Sequence, residues 1–285
     1  MSLQGAKPKS VEELIDFYFH RRLAVPVVAV AARLKFSPNQ ITWLSLLFGC
    51  FSAYLYYRGQ FPLGSLALLA AIVLDCSDGM LARVTGTSSP VGRILDGFFD
   101  LIWVVLVWIA VYLGQSFSPP KATVLLLMIS SGASMFLHCM TYDSVKSTYL
   151  TLCEPDSSEK NLSWREARKR SRESFGRRRF FEALIYLVMS LHHACLVSSP
   201  HKAPALGVSD RSRAQRNLAP SMRLWSFLGE GTHLALIFMA GLITPWFQNA
   251  FLAACAVMLI PLNLLWLVAA ILWRRDKRRV LADTR

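Results

Sequence analysis

Four aspartates stand inside or at the ends of apolar segments: Asp75, Asp78, Asp96 and Asp100. A charged side chain at the centre of a membrane span costs about 2.5–3.5 kcal/mol on insertion scales, so each acid requires compensation. Asp75 and Asp78 are three residues apart, and Asp96 and Asp100 are four apart, so each pair shares one face of a helix. Two antiparallel helices joined by a short loop would bring all four carboxylates together.

Converging carboxylates repel one another unless cations neutralise them. Oxygen ligands at this density suit Mg²⁺, Mn²⁺ or Ca²⁺ better than zinc, and paired metal ions commonly promote displacement at phosphorus. Gly79 and Ala82 leave room on the same helix face for a bulky ligand. Salt bridges to Arg83 and Arg93 are the alternative, but they would satisfy one or two acids and not four. We therefore predict a site for two Mg²⁺ or Mn²⁺ ions.

The elements that position these acids follow from the composition. The chain has 285 residues, of which 54% are hydrophobic and 17% charged. So apolar a chain is not disordered, and soluble domains typically carry about 25% charged residues. We predict an all-α polytopic membrane protein, because apolar runs near the length of a span recur along the chain. The predicted spans are 39–57, 62–83, 92–114, 122–150, 228–247 and 250–273.

The net charge of +13 is distributed asymmetrically about these spans. Of the 31 Lys and Arg residues, only Arg58 and Lys121 fall in loops on one side, so the positive-inside rule places the other side in the cytoplasm. The basic side would face anionic lipid headgroups, and we expect no nucleic-acid binding there. Four regions result: a cytoplasmic or interfacial arm (1–36), four spans (37–150), a basic cytoplasmic insert (151–227), and two spans with a basic tail (228–285).

Local patterns add further expectations. The pattern of residues 11–35 predicts an amphipathic helix in the membrane interface.

A seventh crossing at 180–197 is rejected, because it would place the basic C-terminal tail outside the cytoplasm. Aromatic residues that include Trp103 are expected to anchor the spans at the interface, whereas His192, His193 and His233 are expected to be packing or interfacial residues.

The acid pattern resembles a known signature. The segment Asp75-Cys-Ser-Asp78-Gly79-Met-Leu-Ala82-Arg83, continued by Gly92, Asp96 and Asp100, matches D-x2-D-G-x2-A-R-x8-G-x3-D-x3-D of the CDP-alcohol phosphotransferases without a departure. The segment 37–42 is similar to the P-N-x-x-T sequence that opens the first span in that family. The resemblance covers about residues 10–150 and extends only loosely beyond them.

The resemblance implies roles for individual residues. Similar enzymes hold two divalent cations with the first three acids and use the fourth, here Asp100, as general base and partial metal ligand. The residues that the likeness assigns to the CDP moiety are Asn39, Thr42, Gly79, Ala82, Arg83 and Ser89. Lys146, followed by Arg93, is the candidate for contacting an anionic acceptor, although a lysine snorkelling to the interface explains Lys146 equally well.

The predicted reaction is phosphatidyl transfer from CDP-diacylglycerol to a small polar alcohol with release of CMP. An alternative is transfer of phosphocholine or phosphoethanolamine from a CDP-alcohol to a lipid. A cation or proton transporter using intramembrane acids is an alternative of another class. The resemblance also implies a homodimer, and we expect a multi-pass protein of the bacterial inner membrane whose site faces the cytoplasm. The acceptor alcohol stays open.

Overall fold

A computed structural model describes residues 10–87, 90–154, 169, 172–173 and 208–282 of the chain, and the side chains of residues 90–95 and 208–209 are outside that description. The described part is all α-helical, as predicted. The elements are a π-helical turn Asp16–His20, α1 Arg21–Arg33, α2 Pro38–Tyr57, α3 Phe61–Val84, α4 Pro90–Gly114, α5 Lys121–Cys153, α6 Val208–Trp225, α7 Glu230–Ile243, α8 Ala250–Leu259 and α9 Pro261–Ala282.

Among the described residues, five helical runs are long and apolar enough to cross a membrane: Phe61–Val84, Asp96–Gly114, Lys121–Cys153, Asp210–Ile243 and Ala250–Ala282. They overlap five of the six predicted spans, so the chain is a polytopic membrane protein. The remaining prediction, 39–57, coincides with the 20-residue helix α2, which is not among the five runs because several polar residues lower its hydropathy. The fourth run begins at Asp210, upstream of the predicted start at 228.

The beginning of α2 is fixed by its own sequence. The Ser37 hydroxyl accepts a hydrogen bond from the Gln40 amide at 3.3 Å, and the Gln40 side chain accepts one from the Ser37 amide at 2.8 Å. This capping box satisfies two amides that the first turn would otherwise leave unbonded, and Pro38 supplies a helical φ at the first position. The cap thereby places Thr42 in the second turn of the helix, on its buried side.

Small residues let α2 lie close to α3 and α4. Ser45 donates to the carbonyl of Ala71 at 3.0 Å, and Ser52 donates to the carbonyl of Gly64 at 2.7 Å. On the α4 side, the indole of Trp103 lies directly on Gly49. Such contacts are typical of helix packing in membranes, where close backbone approach and hydrogen bonds between helices provide the association energy. The close approach brings the N-terminal end of α2 against the C-terminal end of α3.

The C-terminal helices complete the bundle around α5. Helix α6 packs on α5 and α9, α8 packs on α5 and α7, and α7 packs on α3. A buried polar contact joins α5 to α7, where His138 Nδ1 and His233 Nε2 are 3.1 Å apart, and His233 Nδ1 donates to the Gly229 carbonyl at 2.7 Å. His233 is therefore a packing residue, as expected. The other predicted features of the insert, namely the rejected crossing at 180–197, His192 and His193, lie outside the described residues.

The N-terminal arm differs from its prediction. Tyr18, Phe19 and Leu23 expose large apolar surfaces, which suits an interfacial helix. Val11 and Glu13, however, are buried against the bundle, and the hydroxyl of Tyr142 on α5 donates to the Val11 carbonyl at 2.6 Å. The first residues of the arm therefore pack on the ends of the spans and do not lie only in the interface.

We expect Gly49→Ala to destabilise the protein. A Cβ at this position would lie 2.5 Å from Cγ of Trp103, so either the indole or α2 must move. Overpacking of this kind costs about 1–3 kcal/mol. Thermal unfolding of the detergent-solubilised protein should show a lower midpoint. Gly132→Ala is the matched control, since a Cβ there meets nothing within 4 Å. Equal midpoints for the two variants would contradict the packing assigned to α2 and α4.

Candidate metal and phosphate site

Three of the predicted acids converge. Carboxylate oxygens of Asp75, Asp78 and Asp96 all lie within 4.8 Å of one another, between the end of α3 and the beginning of α4. Asp78 is 4% exposed, while the other two acids are half-buried. The spacing along each helix places the acids on one face, and the antiparallel packing brings the two faces together. The predicted convergence of α3 and α4 acids is thus observed for these three residues.

Asp100 lies one turn further along α4 and is also half-buried. Its carboxylate interacts with that of Asp75, although it is not one of the three that form the tight group. The indole Nε1 of Trp103 donates a hydrogen bond to Asp100 Oδ1 at 3.0 Å. This hydrogen bond fixes the orientation of the Asp100 carboxylate. We refer to Asp75, Asp78, Asp96 and Asp100 together as the acid site.

Trp103 corrects a prediction. The sequence suggested an interfacial anchor, but this side chain is only 1% exposed, packed on Gly49 and bonded to Asp100. Sequence reasoning missed this role because tryptophan is common at span ends. The available signal was its position three residues after Asp100, which places both side chains on the same face of α4.

Thr42 fixes the orientation of Asp78. Its hydroxyl Oγ1 donates to Asp78 Oδ2 at 2.5 Å across the α2–α3 contact. Both residues are buried, so the hydrogen bond is shielded from competing water. The same hydroxyl lies 3.1 Å from the Pro38 carbonyl, but one O–H provides one proton, and the shorter contact to a carboxylate is the stronger. Thr42 therefore orients an acid of the site.

The other predicted ligand-binding residues occupy the surroundings of the acids. Gly79, Ala82 and Arg83 are half-buried on α3, and a Cβ built on Gly79 would lie 3.4 Å from Nη1 of Arg83. The guanidinium thus lies over the Gly79 backbone, one turn from Asp78. Asn39 is exposed in the first turn of α2. Ser89 and the side chain of Arg93 lie outside the described residues.

The donor set fits a divalent cation. Three carboxylates within 4.8 Å offer only oxygen atoms, which are the ligands that Mg²⁺, Mn²⁺ and Ca²⁺ prefer. Their mutual repulsion would be removed by positive charge placed among them. Neither cysteine nor histidine belongs to this group of the described residues, so its chemistry is not that of a zinc site.

Comparison with known proteins supports this interpretation of the acids. The family model described as CDP-alcohol phosphatidyltransferase matches residues 35–151. The chain is 35% identical over 88 residues to an archaetidylinositol phosphate synthase of Aeropyrum pernix. It is 36% identical over 69 residues to a protein of the same name from Pyrococcus horikoshii. These alignments include 30% and 24% of this chain, and they span less than half of each relative, at 44% and 37%. No solved structure gives a significant match.

We expect Thr42→Val to weaken metal binding. Valine keeps the shape of threonine but removes the donor that orients Asp78, and loss of such a supporting hydrogen bond typically costs about 10–100-fold in metal affinity. Titration of the metal-free protein with Mn²⁺, followed by calorimetry, measures the change. Thr148→Val is the control, because that hydroxyl donates to the Ser144 carbonyl of its own helix at 2.9 Å and lies outside the acid site. If the Mn²⁺ affinity of Thr42→Val is unchanged, the role of Thr42 in orienting Asp78 is refuted.

Proposed function

We propose, from the premise that residues 35–151 belong to the CDP-alcohol phosphatidyltransferase family, that this protein transfers a phosphatidyl group from CDP-diacylglycerol to a small polar alcohol and releases CMP. The convergence of Asp75, Asp78 and Asp96 carries the proposal, because these acids occupy the positions of the family signature and form one oxygen-rich group. The archaeal relatives are named for the synthesis of archaetidylinositol phosphate. Since this chain spans less than half of each, its own donor and acceptor are proposals.

In this proposal Asp75, Asp78 and Asp96 hold two divalent cations, Mg²⁺ or Mn²⁺, with Asp100 as a partial ligand. Such ions, when bound, neutralise charge on the diphosphate and on the leaving group. The protein contributes the arrangement of the acids. Thr42 orients Asp78 from α2, and close α2–α3 packing keeps that donor in place.

Asp100 acts as the general base. The hydrogen bond from Trp103 orients its carboxylate, which accepts the proton of the acceptor hydroxyl. The acceptor oxygen then forms a bond to the β-phosphorus, and the bond from that phosphorus to the bridging oxygen breaks. CMP leaves with the electron pair of that bond. The step needs no covalent enzyme intermediate.

The CDP moiety is proposed to lie over the end of α3. The bare backbone at Gly79 and the small Ala82 leave space there, and the Arg83 guanidinium can hold two phosphate oxygens with its planar fork. Asn39, Thr42 and Ser89 complete the proposed contacts. Thr42 would act chiefly through Asp78, because its proton is already directed at that acid.

The proposed topology has six crossings, with α2 as the first. Its residues Leu47, Phe51 and Tyr54 are 63%, 51% and 52% exposed, which gives α2 a lipid-facing surface in addition to the face packed on α3 and α4. Both termini and the acid site then lie on the basic, cytoplasmic side. We also propose that the protein forms a homodimer and lies in the bacterial inner membrane.

The alternatives fit less well. A transporter would be expected to hold its acids near the middle of the bilayer on interrupted helices. Here Asp75 and Asp78 lie in the C-terminal half of α3, which runs unbroken from Phe61 to Val84. Transfer of phosphocholine or phosphoethanolamine to a lipid would use the same acids, so the donor panel of the assay must include CDP-choline and CDP-ethanolamine.

The decisive assay measures CMP release from CDP-diacylglycerol by the purified protein with Mg²⁺ or Mn²⁺ and a panel of alcohols. We expect Asp100→Asn to lower kcat by about 10²–10⁴-fold, the usual contribution of a positioned base. Asp210→Asn is the matched control, because Asp210 is exposed at the beginning of α6. Full activity of Asp100→Asn would refute the role of the base, and no CMP from any alcohol would refute the proposed function.

Arg83→Lys provides an independent test of the CDP contact. Lysine keeps the positive charge but loses the planar fork, so we expect the KM for CDP-diacylglycerol to rise by about tenfold while the KM for the acceptor changes little. Steady-state kinetics with each substrate varied in turn measures both constants. If only the KM for the acceptor rises, Arg83 contacts the acceptor, and the proposed contact with the CDP moiety is refuted.

A further inference from the structure

The C-terminal part of α9 is strongly basic. Residues 273–282 contain one acid, Asp276, and the cations Arg274, Arg275, Lys277, Arg278 and Arg279. The acid is used inside the protein: it is buried, the Ser221 hydroxyl of α6 donates to it, and Arg275 Nε lies 3.0 Å from its Oδ1. The four arginines are exposed. The catalytic mechanism proposed above uses none of these residues.

The length of the helical run indicates where these cations lie in a bilayer. Residues 250–273 contain no charged side chain. A hydrocarbon layer of about 30 Å is crossed by about 20 helical residues. Counted from Ala250, where the run begins, the layer ends near Ile271. Arg274 is therefore the first charged residue beyond the layer, at the level of the lipid headgroups.

The exposed apolar face of α9 continues directly into arginines. Leu264, Leu267 and Ile271 are 60%, 50% and 58% exposed, at intervals of three and four residues that place them on one face of the helix. The same intervals lead on to Arg274 and Arg278, which we call the arginine pair. In a bilayer this face contacts acyl chains, so the arginine pair meets the headgroups of the lipids that lie along it.

The surroundings of the arginine pair leave its charge available. Neither Arg274 nor Arg278 forms an ion pair with a carboxylate of the described residues. Helix α6 packs on this part of α9 through the buried contact of Ser221 with Asp276, and its own Arg216 and Arg223 are exposed. The described residues around the arginine pair therefore attract an anion and do not neutralise the pair themselves.

Lys146 differs from these arginines. Its Nζ lies 3.2 Å from Asp143 Oδ1 and 5.4 Å from the centre of the Tyr142 ring, and its side chain is only 18% exposed. The lysine predicted to contact an anionic acceptor thus interacts with neighbours on its own helix. Among the two, the arginine pair is the better candidate for binding an anionic lipid.

We propose that Arg274 and Arg278 bind the phosphate of an anionic phospholipid whose acyl chains lie on the exposed apolar face of α9. The planar guanidinium can hold two phosphate oxygens at once, which suits a headgroup phosphate. In a zwitterionic lipid the headgroup's own cation offsets the phosphate, so its attraction to the pair is weaker. The inference goes beyond the proposed transferase function and does not depend on it. It assigns the general attraction of the basic side for anionic lipids to one face of one helix.

Native mass spectrometry of the detergent-solubilised full chain tests this lipid contact. Phosphatidylglycerol and phosphatidylcholine with identical acyl chains are the probes, because they differ only in the headgroup. We expect phosphatidylglycerol to bind the unaltered protein more tightly. Arg274→Gln combined with Arg278→Gln should lower the affinity for phosphatidylglycerol by about 25-fold, or about fivefold for each cation removed, and leave that for phosphatidylcholine within about twofold.

A second double variant controls for the loss of charge. Arg58→Gln combined with Lys121→Gln removes two exposed cations that lie outside α9, and it should keep the affinity for phosphatidylglycerol within about twofold. Equal affinities of the unaltered protein for the two lipids, or equal losses in the two double variants, would overturn the inference. If the α9 double variant does not fold, Arg278→Gln alone decides, with an expected loss of about fivefold.

Soluble anions identify the source of the phosphate. Inorganic phosphate and an RNA oligonucleotide, each at the concentration of the lipid, should displace little phosphatidylglycerol, because neither has acyl chains for the apolar face of α9. Displacement by either would overturn the assignment to a lipid. Since the readout is lipid binding and not CMP release, failure of this inference and failure of the transferase proposal are distinguishable.

Discussion

The constraint on which the structure depends is the placement of like-charged carboxylates at the ends of apolar helices. Asp75, Asp78 and Asp96 hold oxygens within 4.8 Å of one another, an arrangement that repulsion and desolvation both oppose. Much of the surrounding structure supports it. Helix α2 approaches α3 through small residues and delivers the Thr42 hydroxyl to Asp78. On α4, the buried indole of Trp103 supports Asp100.

The same constraint connects the fold to the chemistry. Acids that repel one another in the protein alone form a ready site for hard cations, and cations placed there can hold a diphosphate. The N-terminal arm extends this arrangement, because it brings Glu13 and Asp16 to the beginning of α7 beside the acid site. One end of the bundle thus holds the acids proposed to bind the cations and the proposed base.

Much of the site was predictable from local spacing. The intervals Asp75 to Asp78 and Asp96 to Asp100 place each pair on one helix face, and short connections between apolar runs place neighbouring helices antiparallel. The structure brings Asp75, Asp78 and Asp96 together, and its long apolar helical runs overlap five of the six predicted spans. Trp103 and Glu13 were missed, because a tryptophan in a membrane helix and an acid in a polar arm have common explanations that require no tertiary contact. Their burial became evident only from the packing of α4 and the arm.

The sequence by itself determined the membrane class and the pairing of acids on α3 and α4, since helical periodicity and hydropathy act over a few residues. Only the tertiary structure decided that Thr42 bonds Asp78, that Trp103 supports Asp100, and that the arm lies on α7. Those contacts join residues on different helices, or side chains whose burial depends on neighbouring helices. Their formation is set by which small residues allow close approach, and that depends on the packing of the whole bundle.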